Sequence, residues 1–457
     1  VRQFVISLTL AVCAPASAQQ WTLAEAVRRA RMEEPSIDEA LARVRAAAAG
    51  VQLARTAYLP KGEFHAQANR GTRNNIFGMV MPNPVIAGIS GPPLAANAGT
   101  NVWGTATGFL VTWEPFDLGQ RGARVAVTQA ARAREERAAE RTRFEIEAAA
   151  AGAFLTVLAA DESVKRAQAA LDRAKTLETV AGALASAGLR PDADLARARA
   201  ERAGAEALVI QATQSARDAR SALVQLTGGD PGEVRPDPGP LLGAAREVAP
   251  AAATHPGVAE QEAAIAESQA RRAELAKAWR PKFIGQSALY ARGTGALANF
   301  VDGKLEIGTG GPGAGLGPNI YNWGIGLSVL FPFLDLPAIR AQREAEAHRF
   351  AAESKKLDRI GRELKAQRER AESALEAARG LAAVAPIQLE AARATAAQAE
   401  ARYKAGLAPL LEAADAQRVL AQAEIDDALA HLNVWRAQLA VAVAAGDLKP
   451  LLEAAAR

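Results

Sequence analysis

The feature that most constrains this chain is that it is written twice. Glu34-Pro35-Ser36 opens a helical stretch ending at Tyr58-Leu59-Pro60-Lys61, and His255-Pro256-Gly257 opens another ending at Trp279-Arg280-Pro281-Lys282. The offset is 221 in both cases (256 − 35 and 281 − 60). Pro115-Phe116 answers Pro332-Phe333 at an offset of 217; Ala187-Gly188-Leu189 answers Ala405-Gly406-Leu407, and Gly228 answers Gly446, at 218. Anchors in one order at nearly one spacing mark a tandem duplication, and the period far exceeds the roughly 20–50 residues of solenoid units. The sequence divides into a first repeat over 19–227, a Gly- and Pro-rich segment over 228–254, a second repeat over 255–446 and a C-terminal tail over 447–457. Each repeat reads helix, strand, loop, strand, long helix, tight turn, helix.

The second strand of each repeat, expected at about 102–114 and 321–331, alternates with period two. Tyr321, Trp323, Ile325, Leu327, Val329 and Phe331 are apolar, while Asn322, Gly324, Gly326 and Ser328 between them are small or polar. Trp103, Thr105, Thr107, Phe109, Val111 and Trp113 form the counterpart, with Gly104, Ala106 and Gly108 alternating. About ten residues of this pattern are the length and signature of a transmembrane β-strand. Trp103, Trp113, Tyr321 and Trp323 suit aromatic girdles at the two interfaces. The preceding strands, about 62–70 and 283–292, alternate poorly and are placed by position. The loops within each pair, about 71–101 and 293–319, are rich in Gly, Pro and Asn and read as long external loops. Four strands do not close a barrel and an open edge in lipid leaves backbone groups unsatisfied, so a pore requires several chains.

No Pro lies between Pro115 and Pro191, and one helix fits from about Leu118 to Leu184. Such a helix is on the order of 100 Å long. Its equivalent runs from about Ala338 to Ala405 with Pro386 inside, where a missing donor is expected to bend or loosen it. Shorter helices are expected over 22–59 and 193–226. Heptad-like spacing appears at Val157, Val164 and Leu171, at Leu389, Ala392, Ala396, Ala399 and Tyr403, and at Ile425, Ala428, Leu432, Trp435 and Leu439. About a quarter of the 457 residues are Ala, and only 5% are aromatic. That composition suits close-packed helices better than a bulky globular core. Ala187-Gly188-Leu189 and Ala405-Gly406-Leu407 fall at the turns of helical hairpins, with tips near 187–191 and 405–409, where Pro191 and Pro409 start the return helices. Two such turns at corresponding positions are natural contact points for a partner.

Residues 1–18 read as a secretory signal peptide: Arg2, a largely apolar run from Phe4 to Val12, then Ala16-Ser17-Ala18 as the cleavage signal. Val12 before Cys13 is not the small residue a lipoprotein signal needs. With one Cys, a disulfide scaffold and a Cys-ligated zinc site are excluded. No later stretch approaches about 18 uninterrupted apolar residues, so any membrane span is built from strands. The 54 Lys+Arg nearly balance 50 Asp+Glu and alternate along helices, a solvated-face pattern that points to no nucleic-acid partner. His65, His255, His348 and His431 have no partner at metal-ligand spacing, and no catalytic set can be assembled. His65 upstream of Met79 and Met81 reads as incidental. The run Gly313-Ala314-Gly315-Leu316-Gly317 precedes a strand without a following Gly-Lys-Ser/Thr, so it is no phosphate loop. The reading is not an enzyme, with no cofactor and no metal.

At this point the sequence resembles the TolC family of outer-membrane efflux proteins. Trp21-Thr22-Leu23-Ala24-Glu25-Ala26-Val27-Arg28-Arg29-Ala30, followed by Glu34-Pro35, is similar to the family's opening, with Glu34 in place of its usual Asn. Tyr403-Lys404-Ala405-Gly406-Leu407-Ala408-Pro409-Leu410-Leu411-Glu412-Ala413-Ala414-Asp415 resembles the family's second hairpin tip. The resemblance implies a mainly α fold with a small β part, a TolC-like α/β-barrel. It implies a homotrimer whose 12-stranded barrel crosses the outer membrane and continues into a helical periplasmic tunnel. The belt around that tunnel would draw on Gly228–Thr254 and the residues after Asp447. It implies a passive exit duct of a tripartite efflux or type I secretion system, engaging a periplasmic adaptor protein and an inner-membrane pump at its tips. The family's acidic constriction falls on Glu412 and Asp415, with Glu412 where Asp is usual. The alternative from another class is a periplasmic coiled-coil adaptor or scaffold, which would carry one hairpin rather than a whole-chain duplication.

Overall fold

The computed structural model describes residues 20–72, 99–243, 245–248 and 254–456. The signal-peptide expectation over 1–18, and Met79 and Met81 in the first loop, lie outside these residues. The helices are α1 (Leu23–Glu33), α2 (Pro35–Arg55), α3 (Gln120–Ser186), α4 (Asp192–Thr227), α5 (Pro256–Leu275), α6 (Leu336–Lys404), α7 (Leu410–Ala445) and α8 (Lys449–Ala455). The strands are β1 (Gln20–Trp21), β2 (Lys61–Thr72), β3 (Asn101–Phe116), β4 (Arg235–Pro236), β5 (Lys282–Thr294), β6 (Ala296–Val301), β7 (Lys304–Thr309) and β8 (Ile320–Leu330). The chain forms two compact units: Val1–Val44, Glu135–Glu262 and Lys355–Arg457 make the first, and Arg45–Arg134 with Ala263–Ser354 make the second.

The first unit is helical. Its largest core gathers Leu23, Val27 and Ala30 of α1, Phe154, Leu155 and Val157 of α3, Leu223 of α4, and Leu432, Trp435 and Leu439 of α7. Small residues let these helices approach: Leu389, Ala392, Ala396 and Ala399 of α6 face Ala416, Leu420 and Ala423 of α7, a seam dominated by methyl groups. The helix expected over 22–59 is broken. Glu34 is extended (φ −74°, ψ 115°) because Pro35 disfavours a helical residue before it, and Pro35 begins α2. Pro386 does not end α6, which continues through it to Lys404. The segment after Gly228 docks on the helices: β4 pairs in parallel with β1, and Val234 and Leu241 are buried in the large core. The C-terminal tail is the short helix α8, held by Leu448 and Leu451 in that same core.

The second unit holds a four-stranded antiparallel sheet in the order β2-β3-β5-β8. The register lines up Phe64, Phe109, Leu289 and Trp323 as successive partners across all four strands. Period-two alternation then puts Val111, Trp113, Ile325, Leu327 and Val329 on the same face, and all of them are exposed. The opposite face carries His65, Gln67, Gln286, Tyr290 and Asn322 among small residues. β2 and β5 alternate poorly in sequence because their positions on the apolar face include Gly62, Ala66, Gly285 and Ser287. Residues 293–319 are not one long loop. They contain the hairpin β6–β7, closed by Asp302-Gly303 with positive φ at both residues, the two-residue turn that suits strand twist. The Gly-rich stretch after it folds back on the sheet, where the Thr105 hydroxyl donates to the Gly315 carbonyl at 2.8 Å.

A buried ion pair fixes the passage from β3 to α3. Asp117 accepts from the Gly119 and Arg121 backbone N–H groups and from Arg121 Nε at 3.1 Å. Arg121 in turn donates to the Ala57 carbonyl at 3.1 Å and lies over the Tyr58 ring. Burial works to raise the Asp117 carboxyl pKa, but the bonds from Arg121 and Gly119 outweigh it and hold the group below its ordinary value. Its contribution to stability is therefore present above the ordinary carboxylate pKa and lost as pH falls through the depressed one. Replacing Asp117 by Ala leaves a buried guanidinium without its carboxylate, expected to cost about 3 kcal/mol. A lower denaturant midpoint for loss of helical circular dichroism is the check, and the variant should also lose part of the acid sensitivity.

Candidate functional site

The two hairpin tips lie in the first unit and are built alike. In the first, Leu189 N–H donates to the Leu184 carbonyl at 2.9 Å and Gly188 has φ +74°. In the second, Leu407 N–H donates to the Arg402 carbonyl at 2.8 Å and Gly406 has φ +81°. This is the same glycine-terminated helix end twice, and each requires a left-handed residue that only Gly adopts freely. Pro191 and Pro409 then cap α4 and α7 in extended conformation. Leu189 and Leu407 are 69% and 73% exposed, so each tip presents an apolar side chain to solvent. Ala187 and Ala405 are each the last residue before the glycine, donating back to Ala183 and Ala401.

The two tips are locked together by a residue that sequence reasoning passed over. Arg190 of the first tip donates through Nη2 to the carbonyls of Ala408 at 2.8 Å and Tyr403 at 3.2 Å, and its guanidinium stacks over the Tyr403 ring, 5.0 Å from the centroid. Tyr403 is fully buried in a cluster with Leu177 and Ala181 of α3, Ala198 of α4, and Leu410 and Ala413 of α7. Its aromatic ring is an internal anchor rather than part of the exposed tip. Burial and the nearby Asp194 carboxylate push its phenol pKa up. The signal was present: Arg190 stands where the second repeat has Ala408, so only one tip carries the side chain that reaches across.

Glu412 and Asp415 lie in the first turns of α7, one helical turn apart, and both are exposed. Each faces an arginine. Arg402 Nε is 3.6 Å from Glu412, and Arg418 pairs with Asp415 while its Nε lies 3.8 Å from Glu201 of α4. The sequence reading singled out the carboxylates and not these cations. Of the aromatic residues, Trp103 and Trp113 stand toward the two ends of β3, Trp103 beneath the Arg70 guanidinium and Trp113 donating through Nε1 to the Tyr58 carbonyl at 3.1 Å. Tyr321 and Trp323 of β8 are each 78% exposed, in rows with Thr107 and Phe109. Among the described residues no group of His, Cys, Asp or Glu is arranged to hold a metal ion. No helix among them is long and apolar enough to cross a membrane.

Residues 26–229 and 249–447 match the model of the family described as outer membrane efflux protein. The chain belongs to that family. Its place is the outer membrane, and the family is one of efflux channels rather than enzymes. Solved structures share the fold at low identity. A membrane protein from Pseudomonas aeruginosa superposes with a TM-score of 0.76 at 18% identity, covering 93% of this chain and 92% of that one. The outer-membrane channel OprN gives 0.71 at 21% identity over 93% and 89%. The open state of the Neisseria gonorrhoeae MtrE outer membrane channel gives 0.68 at 17% over 93% and 89%. No protein of curated function matches in sequence.

Within this family member the link made by Arg190 is directly testable. Arg190→Ala removes two hydrogen bonds and a stacked cation, and trypsin should then cut after Lys404 several-fold faster in the native state. Arg190→Lys should restore little, because an ammonium lacks the planar fork that meets two carbonyls and a ring together. Unchanged proteolysis in Arg190→Ala would show that the tips hold without the link.

Proposed function

We propose that the chain is the exit duct of a tripartite export assembly, a passive conduit for cargo delivered by an inner-membrane pump through a periplasmic adaptor. The observation that carries this reading is the four-stranded sheet with one continuous apolar face and two edge strands, β2 and β8, without a neighbour among the described residues. In an outer-membrane protein the apolar face turns to lipid, with Trp103, Trp113, Tyr321 and Trp323 as its interface aromatics. The edges then need partners, because lipid offers no hydrogen bonds. Three copies supply 3 × 4 = 12 strands, and β8 of one copy pairs with β2 of the next. The purified protein should migrate as an oligomer on mild gels and as a monomer after boiling, from outer-membrane fractions. Release as a soluble monomer would sink the reading.

The tips meet the adaptor. Exposed Leu189 and Leu407, each beside its turn glycine in Ala187-Gly188-Leu189 and Ala405-Gly406-Leu407, supply the apolar contact. Glu412 and Asp415 form the acidic constriction, one carboxylate ring each in the trimer, which favours cations. Their partners Arg402 and Arg418 moderate that field without removing it. In planar bilayers, Glu412→Gln with Asp415→Asn should therefore shift the reversal potential in a salt gradient toward anions. Unchanged selectivity would remove both residues from the constriction.

A further inference from the structure

The first unit contains a pocket of about 480 Å³ that the duct reading does not use. It lies between α3, α4 and the turn of Pro231–Glu233. Thr213, Arg217 and Ser221 succeed one another at four-residue steps and form one stripe of α4 along its wall. Ala216 and Arg220 form the neighbouring stripe, against Asp161 and Val164 of α3. The turn closes the third side and is rigidly held. Asp230 Oδ1 accepts from Gly232 N–H at 2.7 Å, Val234 is fully buried beneath it, and Arg235-Pro236 pair with Gln20-Trp21. With Val234 committed to the core, the extended backbone directs Arg235 to the other side, where it lines the pocket.

The charges in this pocket do not balance. Asp161 is the one acidic residue lining it among the described residues, and it is consumed by Arg220, whose Nη2 donates to both carboxylate oxygens at 2.7 and 2.8 Å. Arg220 also donates to the Ala216 carbonyl at 3.2 Å, so this pair is part of the wall. Arg217 and Arg235, one on the helix and one on the anchored turn, have no carboxylate within ion-pair distance among the described residues. Two guanidinium groups thus share one concave site with the Thr213 and Ser221 hydroxyls, against an apolar wall of Val164, Ala216 and Pro231. Arg217 and Arg235 are both exposed, and planar guanidinium groups match carboxylate and phosphate oxygens in pairs.

We propose that this pocket binds a compact oxyanion, a carboxylate or phosphate group held between Arg217 and Arg235. The assignment stands independently of the duct reading. Two sources offer that chemistry: soluble anions, and the free carboxylates of cell-wall peptides. Calorimetry on the full chain purified in detergent, with citrate, inorganic phosphate and a soluble muramyl tripeptide as probes, separates them. Saturable, salt-sensitive binding is expected for at least one probe; a preference for the muramyl tripeptide identifies the wall peptide, and a preference for citrate or phosphate a soluble anion. Arg217→Gln with Arg235→Gln should weaken binding ~tenfold or more, since both charge-assisted contacts go. Ser221→Leu keeps both arginines but fills the pocket and should weaken binding as well, which covers the case of a double variant that folds poorly. Absence of binding by all three probes at millimolar concentration overturns the proposal. So does undiminished affinity in a folded double variant or in Ser221→Leu.

Discussion

A backbone N–H or C=O facing hydrocarbon has no partner to bond, and the rest of this structure depends on that constraint. Among the described residues the main sheet has four strands with two open edges, a number that cannot close on itself. The apolar face cannot be left in water and the edges cannot be left in lipid. In the proposed duct, assembly is therefore a condition of insertion rather than an addition to a finished fold.

Duplication is the simplest way to supply such a wall from one chain. Each repeat contributes two strands and a hairpin, and the hairpins end in turns that agree down to the hydrogen-bond pattern at Gly188 and Gly406. Divergence then acts on the copies separately. Arg190 of the first repeat is matched by Ala408 of the second.

Much of this was legible in the sequence because the signals were local and periodic. The long helices needed only the spacing of prolines, and β3 and β8 needed only period two over apolar residues. β2 and β5 were faint because Gly62, Ala66, Gly285 and Ser287 occupy the face that would have announced them. The hairpin β6–β7 was read as loop although Asp302-Gly303 is a turn signal, since the glycines around it masked the flanking strands. The tip glycines are visible one helix at a time, whereas Glu412 and Asp415 stand out only through the family resemblance. Arg190 over Tyr403, Arg402 beside Glu412 and the Arg217–Arg235 pocket are not visible, because each joins elements distant in sequence.

The single arginine between the tips has a consequence for symmetry. Three copies of a perfect repeat would present 3 × 2 = 6 equivalent tips to whatever meets them. Arg190 gives one tip of the chain a tether that the other only receives, so the rim of the proposed trimer would be two alternating sets of three. In the proposed assembly a ring of identical partner chains would meet two kinds of seat in turn, one that carries the tether and one that accepts it.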